Sequence, residues 1–229
     1  MGTKLIKTSE AILLCGAPSV RQVKPSQIQS LRDDGYHVMA VNFRAVEAGH
    51  PIDSQVTADS TWFPEDRQPR PWVNEYIAKW SPGIMLDTSI EIWRRYQFRL
   101  AHAWLDSEMT LEELPNVQFY RGVLTLAGTD PGDFLGDPHV WIGEMPSKTV
   151  KVTCRCSMLP AFKILWDKGI RRIYLVGCEF HDPERAKYWE RLAGILGRLN
   201  RQFEDHGLEV LNTVRYSGCG VFPYADLPG

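Results

Sequence analysis

Short apolar segments that alternate with amphipathic ones constrain the fold of this chain most. Ile12–Cys15, Val38–Val41 and Ile173–Val176 are apolar throughout, and each ends in turn-forming or polar residues. Such runs are typical of strands that are buried on both faces of a parallel sheet. Ser89–Leu105 and Pro183–His206 carry apolar residues at helical spacing. The alternation predicts an α/β fold in three layers, with a mostly parallel sheet between helices.

The remaining predicted elements fit one domain. We predict further strands at Gln55–Asp59, Ile84–Leu86, Val117–Tyr120, Val140–Ile142 and Leu208–Leu211, and further helices at Ser26–Asp33, Pro71–Trp80 and Ser157–Lys168. The segment at about 106–149 is rich in Gly, Pro and Asp and is predicted to be an irregular middle insertion. A length of 229 residues suits a single α/β domain, so we assign residues 1–229 to one domain.

Composition excludes several classes of protein. The formal net charge is −2, so no strongly basic face is expected and general nucleic-acid binding is not predicted. No apolar run approaches the length that spans a bilayer, and no signal-peptide pattern is seen at the N-terminus. The five cysteines lack the spacing of a disulfide framework or a zinc site, which favours buried free thiols and no bound metal. We therefore expect a cytoplasmic protein.

The loop Gly16–Ser19 directly follows the first predicted strand. Gly16 permits close approach of a ligand to the backbone, and Pro18 favours an extended Ala17. Ser19 supplies a hydroxyl and is predicted to cap the next helix. The loop is predicted to bind a nucleotide or phosphate, and the alternative is an ordinary strand–helix turn.

Polar residues also follow the other predicted strands. Ligands of open α/β sheets bind outside the carboxyl ends of the strands. Asn42 is a candidate to read a base or ribose, and Asp59 to hold a ribose hydroxyl or a metal ion; the alternatives are an Asx turn and a helix cap. Ser157 begins a helix whose N-terminus attracts phosphate, although capping alone also explains this serine. The other candidates at this edge are Gly177, Glu179, Asn212 and Ser217.

Two histidines are candidate catalytic bases. His181 lies two residues after Glu179, just beyond the most apolar strand, and His139 ends a loop whose Gly, Pro and Asp content suits a mobile lid. The alternatives are a surface histidine and a plain long loop. The sequence contains neither a G-x-G-x-x-G motif nor a P-loop motif, so the standard dinucleotide fingerprint and the P-loop NTPase site are absent. It also lacks a G-x-S-x-G motif, which argues against an α/β-hydrolase.

An ordered set of short motifs resembles the bacterial sialyltransferases and the related DUF115 and pterin-pyrophosphokinase-like proteins. The motifs run from residue 12 to about residue 223, although residues 60–145 show no match. They are Gly16-Ala-Pro-Ser19, Ala40-Val-Asn42, Val56-Thr-Ala-Asp59, Cys156-Ser157 with Gly169 to Phe180, and Gly207 to Asn212 followed by Ser217.

The resemblance implies a Rossmann-like fold that binds a nucleotide, often a CMP-linked sugar, for group transfer. It implies that Gly16, Pro18 and Ser19 contact the phosphate or ribose and that Asn42 contacts the base or ribose. It also implies that Ser157 meets phosphate and that Asn212 and Ser217 line the far side. The chain departs from the family at Cys15, Met158 and Glu179, and it lacks the insert that carries the family's catalytic histidine.

These observations lead to one principal hypothesis and two alternatives. The principal hypothesis is a glycosyltransferase that uses a nucleotide-activated donor, with His181 or His139 taking the proton of the acceptor. One alternative is a pyrophosphokinase-like enzyme that acts on ATP and a pterin and needs Mg²⁺. The other is a non-catalytic nucleotide-binding or host-interaction protein, in a chain that a virus could encode.

Overall fold

The computed structural model describes residues 9–41, 44–57, 83–87, 117–121, 135, 141–143, 158–179, 186–215 and 220–229. The strands in this part of the chain are β1 (Glu10–Leu14), β2 (His37–Val41), β3 (Ser54–Thr57), β4 (Gly83–Asp87), β5 (Val117–Arg121), β6 (Trp141–Gly143), β7 (Arg172–Val176) and β8 (Glu209–Asn212). The helices are a 3₁₀ helix (Pro18–Gln22), α1 (Pro25–Asp33), α2 (Arg44–Glu47), α3 (Met158–Asp167) and α4 (Ala186–Asp205).

All of these strands join one sheet in the order β6-β5-β4-β3-β2-β1-β7-β8. Neighbouring strands are parallel except for β5 and β6, which pair antiparallel. The predicted α/β fold with a mostly parallel, Rossmann-like sheet is therefore confirmed. The predicted middle insertion contributes β5 and β6, which extend the sheet at one edge.

The apolar strands are buried on both faces, as their composition predicts. Leu13 and Leu175 pack with α3 and α4 on one face of the sheet. Ile12 and Val176 pack on the other face with the 3₁₀ helix, α1 and α2. Because successive side chains of a strand point to opposite faces, a continuous apolar run is needed to fill both cores.

Helix α4 shows how its sequence determines both packing and length. Leu192, Leu199 and Phe203 are buried along one stripe, and the Phe203 ring packs edge-on against Phe162 of α3 with centroids 5.2 Å apart. Gly207 has φ +68°, a conformation that glycine adopts readily and that commonly ends a helix. It confirms the helix end that the sequence predicts.

Most predicted elements in the described residues are confirmed with shifts of a few residues at their ends. Neither α2 nor the 3₁₀ helix is predicted from the sequence, since four or five residues are too few for a periodic pattern. The predicted helices Pro71–Trp80 and Ser89–Leu105 lie outside the described residues. None of the described helices combines the length and the apolar character needed to cross a bilayer.

Candidate functional site

The topology singles out the crevice between the carboxyl ends of β1 and β7. From β1 the sheet grows through β2 to β6 in one direction, and then β7 and β8 are added on the opposite side of β1. Where the direction of growth reverses, the connections leave on opposite faces and a crevice opens between the strand ends. The Gly16–Ser19 loop follows β1, and Gly177 and Glu179 follow β7, so the structure brings these predicted site residues together.

The backbones of the two loops are joined by hydrogen bonds. The Cys15 N–H donates to the Val176 carbonyl at 2.7 Å, and the Ala17 N–H donates to the Gly177 carbonyl at 3.0 Å. Ala17 is extended, with φ −79° and ψ 158°, as Pro18 predicts. The pairing of β1 with β7 thus continues past the strand ends, and it uses the N–H of Ala17, which belongs to the loop predicted to bind a nucleotide or phosphate.

Ser19 and Glu179 form a third link between the loops. The Ser19 N–H donates to Glu179 Oε1 at 3.1 Å, so a carboxylate already occupies this amide. The prediction that Ser19 caps the next helix is wrong, because Ser19 lies within the 3₁₀ helix, where Ala17 is the N-cap without any side-chain cap. The Ser19 hydroxyl oxygen is buried and has no hydrogen-bond partner among the described residues.

The two glycines of the site have different roles. Gly177 has φ +71°, and a Cβ there would lie 2.7 Å from the Cβ of Val20. Glycine is therefore required for the β7 loop to pack under the 3₁₀ helix. A Cβ on Gly16 would meet no atom of the described chain within 4 Å. Packing against the described residues therefore does not require glycine at position 16.

A cavity of about 350 Å³ opens beside this crevice, on the face of the sheet that carries α1. Its volume lies within the range of small-molecule sites. Residues from the 3₁₀ helix, α1, β7, the loop after β8 and the C-terminal segment line it: Ser19, Gln22, Val23, Gln27, Val176, Gly177, Thr213, Val214, Arg215, Tyr224, Asp226 and Leu227.

The Asn212 side chain joins two loops at the edge of this cavity. Asn212 is 2% exposed; its Nδ2 donates to the Cys178 carbonyl at 3.2 Å and its Oδ1 accepts from the Val214 N–H at 3.0 Å. Both ends of the amide are thus bonded to the backbone. The predicted contact between Asn212 and a nucleotide is not tested by this arrangement and stays a prediction.

The backbone of Asn212 also anchors the C-terminal segment, residues 220–229. The Asn212 N–H donates to the Pro223 carbonyl at 2.8 Å, and the Asn212 carbonyl accepts from the Ala225 N–H at 3.1 Å. Tyr224 lies between these bonds, in a parallel bridge with Asn212. The chain terminus thereby becomes a wall of the cavity.

Arg215, Tyr224 and Asp226 form a connected group on this wall. The Arg215 guanidinium lies 4.8 Å from the centroid of the Tyr224 ring, a cation–π distance, and the Tyr224 hydroxyl donates to Asp226. Tyr224 is 41% exposed. Sequence reasoning missed this group, although the strand-end rule already covered the residues after β8. No strand pattern marks the C-terminal segment.

Six predicted site residues lie outside the described residues, and their roles stay predictions. They are the candidate bases His139 and His181 and the candidate nucleotide contacts Asn42, Asp59, Ser157 and Ser217.

Two cysteines lie at the same strand ends but face the opposite core. Cys15 and Cys178 are free and buried, and their Sγ atoms lie 4.0 and 3.8 Å from the Met158 Sδ. A hydrogen bond with the Cys15 thiol, together with burial, raises the pKa of Cys178 well above its usual value. This thiol is therefore protonated near neutral pH and unreactive. In the described part of the chain, no three His, Cys, Asp or Glu residues are grouped so as to hold a metal ion.

In comparisons with known proteins, no family model matches the chain, and no curated protein matches it either.

Proposed function

We propose that this protein is a transferase of the glycosyltransferase type, which binds a nucleotide-activated donor in the cavity beside the β1–β7 crevice. The position of the cavity is the observation that carries the proposal. It lies outside the carboxyl ends of β7 and β8, next to the point where the sheet reverses its direction of growth. Open α/β sheets bind nucleotides at this place.

The lining of the cavity supports a polar ligand with a planar part. Gln22 and Gln27 offer amide donors and acceptors, and Tyr224 offers an aromatic ring. The resemblance adds support, because Gly16, Gly177 and Asn212, which belong to its separate motifs, lie at the ends of neighbouring strands.

The proposed reaction transfers a sugar from the donor nucleotide to an acceptor hydroxyl. The bond from the sugar to the donor phosphate breaks, the acceptor oxygen forms the new bond, and a base takes the acceptor proton. Hydrogen-bond donors and cations around the phosphate stabilise the negative charge that the leaving nucleotide gains. His181 or His139 is the proposed base. The free thiols of Cys15 and Cys178 are in keeping with a cytoplasmic site of action.

Binding tests the first half of the proposal. Calorimetric titration and thermal melting with CMP, UMP, GMP and ADP are expected to give saturable binding and a raised Tm for at least one nucleotide. Gln27→Trp places a large ring in the cavity and is expected to weaken binding at least tenfold. Ser30→Trp is the matched control, since Ser30 is exposed on the same helix and does not line the cavity.

The absence of binding for all four nucleotides at millimolar concentration would contradict the proposal, and so would equal losses in the two tryptophan variants. A second measurement separates a transferase from a protein that only binds. Incubation with CMP-, UDP- and GDP-linked sugars is expected to release the free nucleotide from the donor that binds, detected by chromatography. Tight binding without release would favour the non-catalytic alternative.

A further inference from the structure

The loop after β1 has few donors left for a phosphate. The N–H groups of Cys15, Ala17 and Ser19 donate to groups at the end of β7, and the Val20 N–H donates to the Ala17 carbonyl at 3.1 Å. A phosphate bound there would have to displace protein acceptors from these amides. The sequence predicts a phosphate at this loop, but the hydrogen bonds do not favour that position.

The charge at the loop also disfavours a phosphate. The acceptor of the Ser19 N–H is the carboxylate of Glu179. A dianionic phosphate at the same amide would lie beside this carboxylate, and like charges at close range in a partly buried site repel strongly. Any anion of the ligand is therefore expected on another wall of the cavity.

Arg215 provides positive charge on the wall formed by the loop after β8. It is the sole cationic residue among those that line the cavity in the described chain. Within the described residues, no carboxylate lies within salt-bridge distance of Arg215, and its contact is with the Tyr224 ring at 4.8 Å. Tyr224 is held in turn through its hydroxyl by Asp226. This wall therefore carries one positive and one negative side chain, whereas the loop after β1 contributes no cationic residue to the described lining of the cavity.

We propose that Arg215 binds the phosphate of the nucleotide and that Tyr224 positions its guanidinium. This inference rests on the proposed function. It places the phosphate at Arg215 and not at the loop after β1, where the sequence predicts it. The planar guanidinium donates two parallel hydrogen bonds to phosphate oxygens, a geometry that lysine cannot reproduce. Stacking on the Tyr224 ring restricts the rotation of the Arg215 side chain and so reduces the entropy lost when phosphate binds. The ligand class is a nucleoside carrying a 5′-phosphate or a 5′-diphosphate.

The test compares each nucleoside with its 5′-monophosphate by calorimetry. A hydrogen bond to a charged group contributes about 1.5–3 kcal/mol, so the wild-type protein is expected to prefer the monophosphate by roughly 10- to 100-fold. Arg215→Gln is expected to reduce this preference to less than about threefold while leaving the affinity for the nucleoside nearly unchanged. Arg215→Lys is expected to give an intermediate preference, and Tyr224→Leu to lower the preference without removing a charge.

Arg171→Gln is the matched control. Arg171 also stacks on an aromatic ring, with its guanidinium 5.1 Å from the centroid of Trp166, and it precedes β7, away from the cavity. The control should keep the full preference for the monophosphate. Circular dichroism and the Tm of each variant establish that the fold is retained. Inorganic phosphate serves as a further probe. The inference would be contradicted if phosphate bound at Arg215 while the protein bound each nucleoside and its 5′-monophosphate with equal affinity.

The outcomes separate this inference from the proposed function. If the wild-type protein binds no nucleotide, both are overturned. If it binds nucleotides with a phosphate preference that Arg215→Gln retains, only the role of Arg215 is overturned. If Glu179→Gln changes the preference and Arg215→Gln does not, the phosphate lies at the β1 loop, as the sequence analysis expected.

Discussion

At the scale of single residues, the two glycines of the crevice differ in whether packing requires a glycine. Gly177 is held at positive φ with Val20 packed against its Cα, whereas the space beside Gly16 is open. A glycine in a loop of this kind is readily interpreted as functional from the sequence. The structure shows that packing is enough to require glycine at position 177, so the predicted ligand contacts of Gly16 and Gly177 both stay predictions.

Substitution of the two glycines is expected to affect stability differently. Gly177→Ala forces a non-glycine residue to positive φ and pushes its Cβ into Val20, which is expected to cost at least about 2 kcal/mol of unfolding free energy. Gly16→Ala is expected to change it by less than about 0.5 kcal/mol. Urea unfolding followed by circular dichroism measures both values. Equal costs for the two alanine variants would contradict the packing shown at the crevice.

At the scale of elements, the C-terminal segment depends on β8 for its position. Asn212 holds the segment through its backbone and holds the Cys178 and Val214 loops through its side chain. Sequence reasoning selected Asn212 as a ligand contact because it ends a strand. In the structure, Asn212 also positions the cavity wall that carries Arg215 and Tyr224.

Asn212→Ala is expected to loosen this wall. The variant leaves the Val214 N–H and the Cys178 carbonyl without their partner, which is expected to cost about 1–3 kcal/mol of unfolding free energy. Hydrogen exchange is expected to rise in residues 220–229. Asn200→Ala is the matched control, because Asn200 donates to Glu204 on the exposed side of α4 and its loss should cost under about 0.5 kcal/mol. Unchanged exchange in the segment would show that Asn212 does not anchor it.

At the scale of the whole molecule, a buried histidine links the stability of the fold to pH. His50 is 1% exposed, and its Nε2 lies 2.9 Å from the carbonyl oxygen of Val20, the residue that packs on Gly177. With Nε2–H as the donor, Nδ1 is left without a partner among the described residues. Burial lowers the pKa of His50 below its usual value of 6.5, so the folded state favours the neutral ring.

The sign of the pH dependence follows from this shift. Well above pH 6.5 the ring is neutral in both the folded and the unfolded chain, so the contribution of His50 to stability is complete. As the pH falls below 6.5, the unfolded chain takes up a proton before the folded chain does, and the unfolding free energy decreases. Urea unfolding at a series of pH values is expected to show this decrease.

His50→Leu is expected to lower the stability near neutral pH, because the hydrogen bond to Val20 is lost, and to flatten its dependence on pH. His206→Gln removes a partly exposed histidine at the end of α4 and should leave the pH dependence in place. A slope that persists unchanged in His50→Leu would assign the dependence to another group.

Much of the fold was predictable because its determinants are local. The four-residue apolar runs predict strands that are buried on both faces, and the spacing of Leu192, Leu199 and Phe203 predicts the buried stripe of α4. Gly207 acts through its own φ preference, and the ring of Pro18 restricts the preceding Ala17 sterically, so their effects on the helix end and on Ala17 can be inferred from sequence. The exceptions are α2 and the 3₁₀ helix, which are too short to produce a periodic pattern.

The sequence by itself determined the α/β class, most strands of the described sheet and the edge at which a ligand is expected, because these depend on local patterns of apolar and turn-forming residues. Only the tertiary structure decided how that edge is built. Ser19 meets Glu179, and Tyr224 meets Asn212, through contacts between residues far apart in sequence. Such contacts leave no periodic pattern, since they arise only when the parallel strands align their carboxyl ends. The same alignment joins the Gly16–Ser19 loop to the end of β7 through the N–H groups of Ala17 and Ser19, which the sequence alone does not indicate.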